Sequence, residues 1–369
     1  MPIPKINIGS RKTKLAITGI ATIIFLSIGI MTLQPLFLEP VINVNINVKP
    51  QIMSALYKVY GNPDFAGGGM WLARVIFKNM GPVSVYNVKI QYKIEISGLT
   101  LYKPEWSEPK TYPIIVPGET VIDLYYPIFP SEILTLTTTA PSKLSVKYEY
   151  TTPGGKTYTD TKTYNFDLLA RNEIVYTSLS KEEFSGTWYD MFDNYWAIAA
   201  WVTPNEKTLR DFVGHYVAGF SPNDDEQALK LWVAAYDAIT NYGIQYMFTP
   251  SSPWDSKEAY QITQVIKFPK DVIQSKAGTC IELSLLMASI AAAYDLHVYI
   301  FLMPGHAIPV VELPQSGKLV PIESTAIGRL SAEDAINAAI KEIRDATNNG
   351  PYYLIDIQGW WSAGVIPPE

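Results

Sequence analysis

Cys280 is the only cysteine in the 369-residue chain, and His306 and Glu323 follow it on separate stretches of sequence. A thiol, an imidazole and a carboxylate are the groups that nucleophilic acyl transfer needs: one attacks, one moves the proton, and one fixes the base. Gly278 permits a sharp turn two residues ahead of the thiol. From Ile281, "IELSLLMASIAAAY" is apolar almost all round and long enough for a buried helix. Cys280 then opens that helix, where unpaired N–H groups and the helix dipole favour a thiolate. Glu282 in the first turn opposes the effect, so the dipole does not suffice and a partner base is required. The plainer reading is that a lone cysteine is a small buried residue. At this point both stand.

Beyond Tyr294 the pattern changes to alternation, with "HVYIFLM", "HAIPVVE" and "KLVPIE" as successive strands. A hairpin closed by the four residues from Leu313 to Ser316 sets Glu312 opposite Gly317. Antiparallel pairing keeps the sum of partner numbers constant, so His306 falls opposite Glu323, with Cβ atoms about 5 Å apart. A one-residue slip would put the two on opposite faces. His297 lacks both a preceding glycine and an evident carboxylate, and reads as structural. His215 in "FVGHYVA" reads as a polar-tipped residue on a packed helix face.

Those elements sit in a longer chain. A formal net charge of -6 and a pI near 5.3 offer no basic footprint for nucleic acid. One cysteine excludes an internal disulfide and zinc sites of the paired-cysteine type. The histidines are scattered with no H-E-x-x-H, so neither a metal nor a cofactor is expected. The acidic "NDDE" lacks the ligand spacing of a calcium loop and suits a helix N-terminus.

From Leu15 to Gln34, "LAITGIATIIFLSIGIMTLQ" carries no charge and reads as a transmembrane helix that is not cleaved. Lys5, Arg11, Lys12 and Lys14 precede it, which places the N-terminus in the cytoplasm and the bulk of the chain outside the cell. About seven alternating segments follow between Val41 and Leu168, separated by "MGP", "VPGE" and "TPGG", in the pattern of an immunoglobulin-like sandwich, similar to modules common on prokaryotic surface proteins. After Ala170 helical spacing takes over in "SGTWYDMFDNYWAIAAW", "NEKTLRDFVGHYVAGF" and "NDDEQALKLWVAAYDAITNY", with Asn205 and Asn223 as N-cap candidates. "SAEDAINAAIKEIRDATNN" reads as a helix capped by Ser331, and Trp360 and Trp361 as core cover in a closing strand and aromatic tail.

Taken together, "KFPKDVIQSKAGTCIELSLLMASIAAAYDLHVYIFLMPGHAIPVV" and "LVPIEST" resemble the transglutaminase-like superfamily over about Tyr260 to Thr325. The resemblance implies Cys280 as nucleophile, His306 as base and Glu323 as orienting acid. Many members carry aspartate at the position of Glu323. Gln274 and Trp254 are candidate second donors to an oxyanion hole, beside the backbone N–H of Cys280. The fold expected is therefore multidomain. A basic tail covers 1–14, a transmembrane anchor 15–38, an all-β immunoglobulin-like sandwich 41–168, and an α+β transglutaminase-like (papain-like) domain 171–369. The function expected is that of a membrane-anchored, extracellular cysteine enzyme acting on a protein or peptide amide. The alternative is a non-catalytic surface adhesin or assembly protein on the same fold.

Overall fold

The computed structural model describes residues 11–33, 38–65, 69–99, 102–179, 183–248 and 263–368. The first helix, α1 (Arg11–Leu33), carries Arg11, Lys12 and Lys14 in its opening turn. Leu15, Ile20, Ile23, Phe25 and Leu26 on it are exposed. Among the described residues, no helix is long and apolar enough to cross a membrane. The single-pass anchor expected over 15–38 is thus corrected, and with it the placement in a cell membrane with the N-terminus inside and the bulk of the chain outside.

Each alternating segment of the strand-rich region forms a strand, because a period of two gives one face to a core and the other to water. They are β1 (Ile42–Val48), β3 (Ala73–Asn79), β4 (Val85–Ile96), β5 (Lys110–Ile115), β6 (Thr120–Tyr125), β7 (Ala140–Thr151) and β8 (Thr157–Leu169), with the short β2 (Gln51–Met53) added between the first two. A small helix, α2 (Tyr57–Tyr60), follows β2. The order β1-β3-β6 makes one antiparallel sheet. The order β2-β8-β7-β4-β5 makes the other, with β2 parallel to β8. Tyr92 of β4 stacks on Tyr125 of β6 at 4.2 Å, and Asp123 of β6 accepts from the Tyr112 hydroxyl at 3.0 Å and pairs with Lys110 at 2.9 Å. These contacts hold the two sheets face to face.

The remainder is mixed. A short β9 (Glu173–Val175) pairs with β11 (Thr263–Val265), and β10 (Gln245–Tyr246) runs parallel to β12 (Ala277–Gly278). Between and after them come α3 (Trp188–Met191), α4 (Lys207–Tyr216), α5 (Asp225–Tyr242), α6 (Pro269–Ser275) and α7 (Cys280–Ala292). Strands β13 (Val298–Met303), β14 (His306–Glu312), β15 (Leu319–Pro321) and β16 (Tyr353–Asp356) form an antiparallel sheet in the order β15-β14-β13-β16. Helix α8 (Ala332–Asn349) precedes β16, and α9 (Ile357–Ala363) follows it. Alternation divides that sheet's side chains. Val298, Ile300, Leu302, Ala307 and Val311 join the core that holds α7, while Phe301, Ile308 and Val310 pack with Ala339 and Ile343 of α8.

One buried cluster runs from Ile46 to Val365 through both regions. The expected sequence of anchor, all-β sandwich and separate α+β domain is therefore corrected to a mixed α/β protein. The segment expected as a helix from Ser185 divides into α3 and a 3-10 stretch, Tyr195–Trp201, whose Trp201 is fully buried and donates to the Ile266 carbonyl at 3.1 Å. The N-caps of α4 and α5 lie one residue beyond Asn205 and Asn223, at Glu206 and Asp224. The closing stretch expected as a strand and aromatic tail is β16 and then α9, in which Trp361 Nε1 donates to the Ala199 carbonyl at 2.9 Å.

Gly278 serves α7 through space, not through a turn dihedral. A Cβ there would meet Leu283 Cδ2 at 3.0 Å and Val272 Cγ1 at 3.3 Å. Gly278→Ala is expected to cost about 1–3 kcal/mol by overpacking. Chemical denaturation checks this, and a variant as stable as the parent would contradict the close approach.

Candidate active site

Cys280 is half-buried at the first position of α7, with Thr279 as N-cap. The backbone N–H groups of a helix's first turn, that of Cys280 among them, have no partner within the helix. Glu282 stands in the first turn, two residues after the thiol. Its carboxylate is buried and accepts the N–H of Thr279 at 2.8 Å and the N–H of Lys267 at 2.9 Å, which fastens the segment before α6 to the start of α7.

His306 opens β14, and its Nε2–H donates to Glu323 Oε2 at 2.8 Å. Cys280 lies close enough to the ring to favour its charged form. The Glu323 carboxylate is fixed from its other side, where Oε1 accepts the Thr325 N–H at 2.8 Å and the Thr325 hydroxyl. The structure thus brings Cys280, His306 and Glu323 together from three elements.

The register that achieves this differs from the one the hairpin argument gives. Glu312 pairs with Leu319 across a six-residue loop, 313–318, which moves every partner by two and ends the ladder at Pro321. A shift of two preserves the face, because the side-chain period is two. Glu323 therefore stays on the side of His306 and meets it on a diagonal, just past the strand.

Burial works against charge on His306, but hydrogen bonds to Cys280 and Glu323, together with their charges, prevail and push its pKa up from 6.5 to about 10. For Glu323, burial would raise the carboxyl, yet the hydrogen bond and charge of His306 and the donors of Thr325 hold it below its ordinary value. The pair is consistent: an imidazolium held by a carboxylate.

One buried hydroxyl joins all three elements. Ser284, a turn after Cys280, donates to the carbonyl of Ala307 at 2.9 Å and lies 3.2 Å from the hydroxyl of Ser324. Since the Ser284 proton is committed to Ala307, Ser324 is the donor of the second bond. Ala307 and Ser324 are the residues next to His306 and Glu323.

The other expected site residues lie elsewhere. Gln274 is exposed in α6, and no hydrogen bond among the described residues joins it to the Cys280 group. Trp254 lies outside the described residues. His215 is exposed, its Nδ1 bonded to the Asp211 carbonyl at 2.9 Å. His297 does have a carboxylate, contrary to the reading from sequence: Nε2 lies 2.7 Å from Asp356 Oδ1, with no thiol in that pair.

Two residues that the sequence did not bring forward belong to the site. Tyr246 pairs with Gly278 and lies near enough to Cys280 and Glu323 for their charges to add to the burial that raises its hydroxyl above the ordinary range. Glu342 of α8 places Oε2 at 3.5 Å from His306 Nε2. A signal for it existed: Glu342 follows Ala335 and Ala339 at helical spacing on an otherwise apolar stripe. Donor atoms of His306, Glu323 and Glu342 lie within 4.8 Å of one another. A cation would have to displace the Nε2 proton that Glu323 accepts, so the group is described as a hydrogen-bonded cluster. The chain matches no family model, and a search of curated proteins finds no relative.

Two outcomes follow. Ser284→Ala leaves the Ser324 hydroxyl and the Ala307 carbonyl buried without this partner and is expected to cost about 1–3 kcal/mol in a denaturant titration. The His306 pair contributes stability fully below its unfolded value of 6.5, and that contribution is lost as pH rises through about 10. The stability gap between the parent and Glu323→Gln should accordingly shrink from neutral pH toward pH 10. A gap that stays constant over that range would show that the pair is not linked to folding.

Proposed function

We propose that the chain is a cysteine acyl-transfer enzyme that opens amide bonds through a thioester on Cys280. The supporting observation is the meeting of Cys280, His306 and Glu323, in which Nε2 is held at 2.8 Å by the carboxylate and Cys280 lies close enough to the ring to favour its charged form. The resemblance of "GTCIELSLLMASI" and "GHAIPVV" to the transglutaminase-like superfamily favours the same reading.

The steps follow from the roles of the three groups. With the proton on His306, the Cys280 sulfur attacks the carbonyl carbon, and the carbonyl electrons move to oxygen opposite the α7 N-terminus. On collapse the carbon–nitrogen bond breaks, and the imidazolium delivers its proton to the leaving amine. His306, now neutral, accepts a proton from the second substrate as that substrate attacks the thioester. The C–S bond breaks, the thiolate leaves, and the imidazolium is restored. Water as second substrate releases a carboxylic acid; a primary amine gives a new amide. Glu323 keeps the N–H on Nε2 throughout and stabilises the charged ring.

The substrate class is a protein or peptide amide. Incubation with glutamine-containing peptides, with and without an added primary amine, followed by mass spectrometry of product and of an acyl adduct on Cys280, tests the proposal. Parent protein should turn over, and Cys280→Ser or His306→Ala should lose activity by about 10³-fold or more. If Cys280 reacts with iodoacetamide no faster in the parent than in His306→Ala, and no peptide is acted upon, the thiol is a structural residue and the fold a non-catalytic one.

A further inference from the structure

We propose that Glu342 is a second positioning carboxylate for the His306 imidazole, supplied by α8 and acting beside Glu323; this rests on the acyl-transfer reading of the site. A single ring nitrogen, Nε2, faces Glu323 Oε2 at 2.8 Å and Glu342 Oε2 at 3.5 Å. The two acids come from different elements, and those elements are tied together, since the Glu323 N–H donates to the Ala335 carbonyl at the start of α8 at 3.1 Å. Glu342 occupies the inward stripe of a helix whose neighbours there are Ala335, Ala339 and Ile343. A half-buried carboxylate on such a stripe is costly unless it meets a charge, and the nearest cation is the imidazolium.

The charged and titratable groups around it define what it does. His306 faces it from β14, Glu323 from the segment after β15, and Asp345 from α8 itself. Cys280 lies beyond the ring on α7, and the charges of Glu323 and Arg329 also reach the hydroxyls of Tyr236 and Tyr246. Burial first, and then the charge of Glu323, raise Glu342 above its ordinary value, while the imidazolium opposes them. Protonated, Glu342 donates to Glu323 and takes up part of the acceptor capacity that holds the ring. Ionised, it sets a second negative charge against Nε2. The imidazolium is then retained to higher pH, and the ring is restrained from two directions.

Proton NMR titration of His306 in the full chain is the test, because a purely structural glutamate would not move it. Glu342→Gln and Glu342→Ala should each lower the His306 titration point by about one unit or more, the range of a charge at this distance. Glu342→Asp, which keeps a carboxylate, should retain part of the effect. Glu333→Gln, an equal change of charge at an exposed position of α8, should leave it unmoved. A His306 titration that is the same in both uncharged variants as in the parent overturns the assignment, as does an equal shift in Glu333→Gln. The two proposals fail separately: a shifted titration in a chain without amide turnover sustains Glu342 and sinks the enzyme, and turnover with an unmoved titration does the reverse.

Discussion

The hydroxyl of Ser284 is the point on which the site depends. It is fully buried, and it spans from α7 to the backbone beside His306 and to the side chain beside Glu323. A buried polar group without a partner is costly, so each of the three elements is held to the position that satisfies the others. The distance of 2.8 Å between His306 and Glu323 is a consequence of where β14 and the turn after β15 are pinned. In this sense the geometry of the site belongs to the packing of a helix on a sheet and not to the local sequence of any one segment.

The same logic governs the ends of the elements. The three clustered side chains sit where regular structure stops: Cys280 at the first residue of α7, His306 at the first of β14, and Glu323 two residues past β15. At such ends backbone groups are unpaired and can turn to a substrate. The interior of the sheet is spent on packing, with α7 on one face and α8 on the other. The site therefore opens at the sheet's end, where the ring of His306 can meet a sulfur from one helix and a carboxylate from the other. Charge is confined there by reciprocal pairing, which explains how a carboxylate that is 5 % exposed can remain ionised beside an imidazolium.

Much of this was legible in the residues. Strands of the first region, the helix opened by Cys280 and the strand opened by His306 all carry periodicities strong enough to survive in the fold. Other features were not. The hairpin register could not be fixed, since loop length depends on how "LPQSGK" packs: its backbone meets Asp225 of α5, which accepts from the N–H groups of Gln315 and Ser316. The aromatic segment around Trp201 has helical spacing, yet a fully buried indole bonded to the Ile266 carbonyl sets a tighter 3-10 path. Hydropathy alone suggested a spanning anchor, whereas no described helix meets the length and apolarity needed.

The sequence by itself determined which residues could carry chemistry and which face each of them takes, because side-chain period is a local property of strand and helix. It named one thiol, placed it at a helix start, and put His306 and Glu323 on a common side, an outcome that withstands a two-residue shift in pairing. Only the tertiary structure decided what those groups touch. The Ser284 link, the turning of Glu282 toward Lys267 and the arrival of Glu342 at the imidazole join residues far apart along the chain. Such contacts arise from the burial of many elements at once, and no window of sequence contains them.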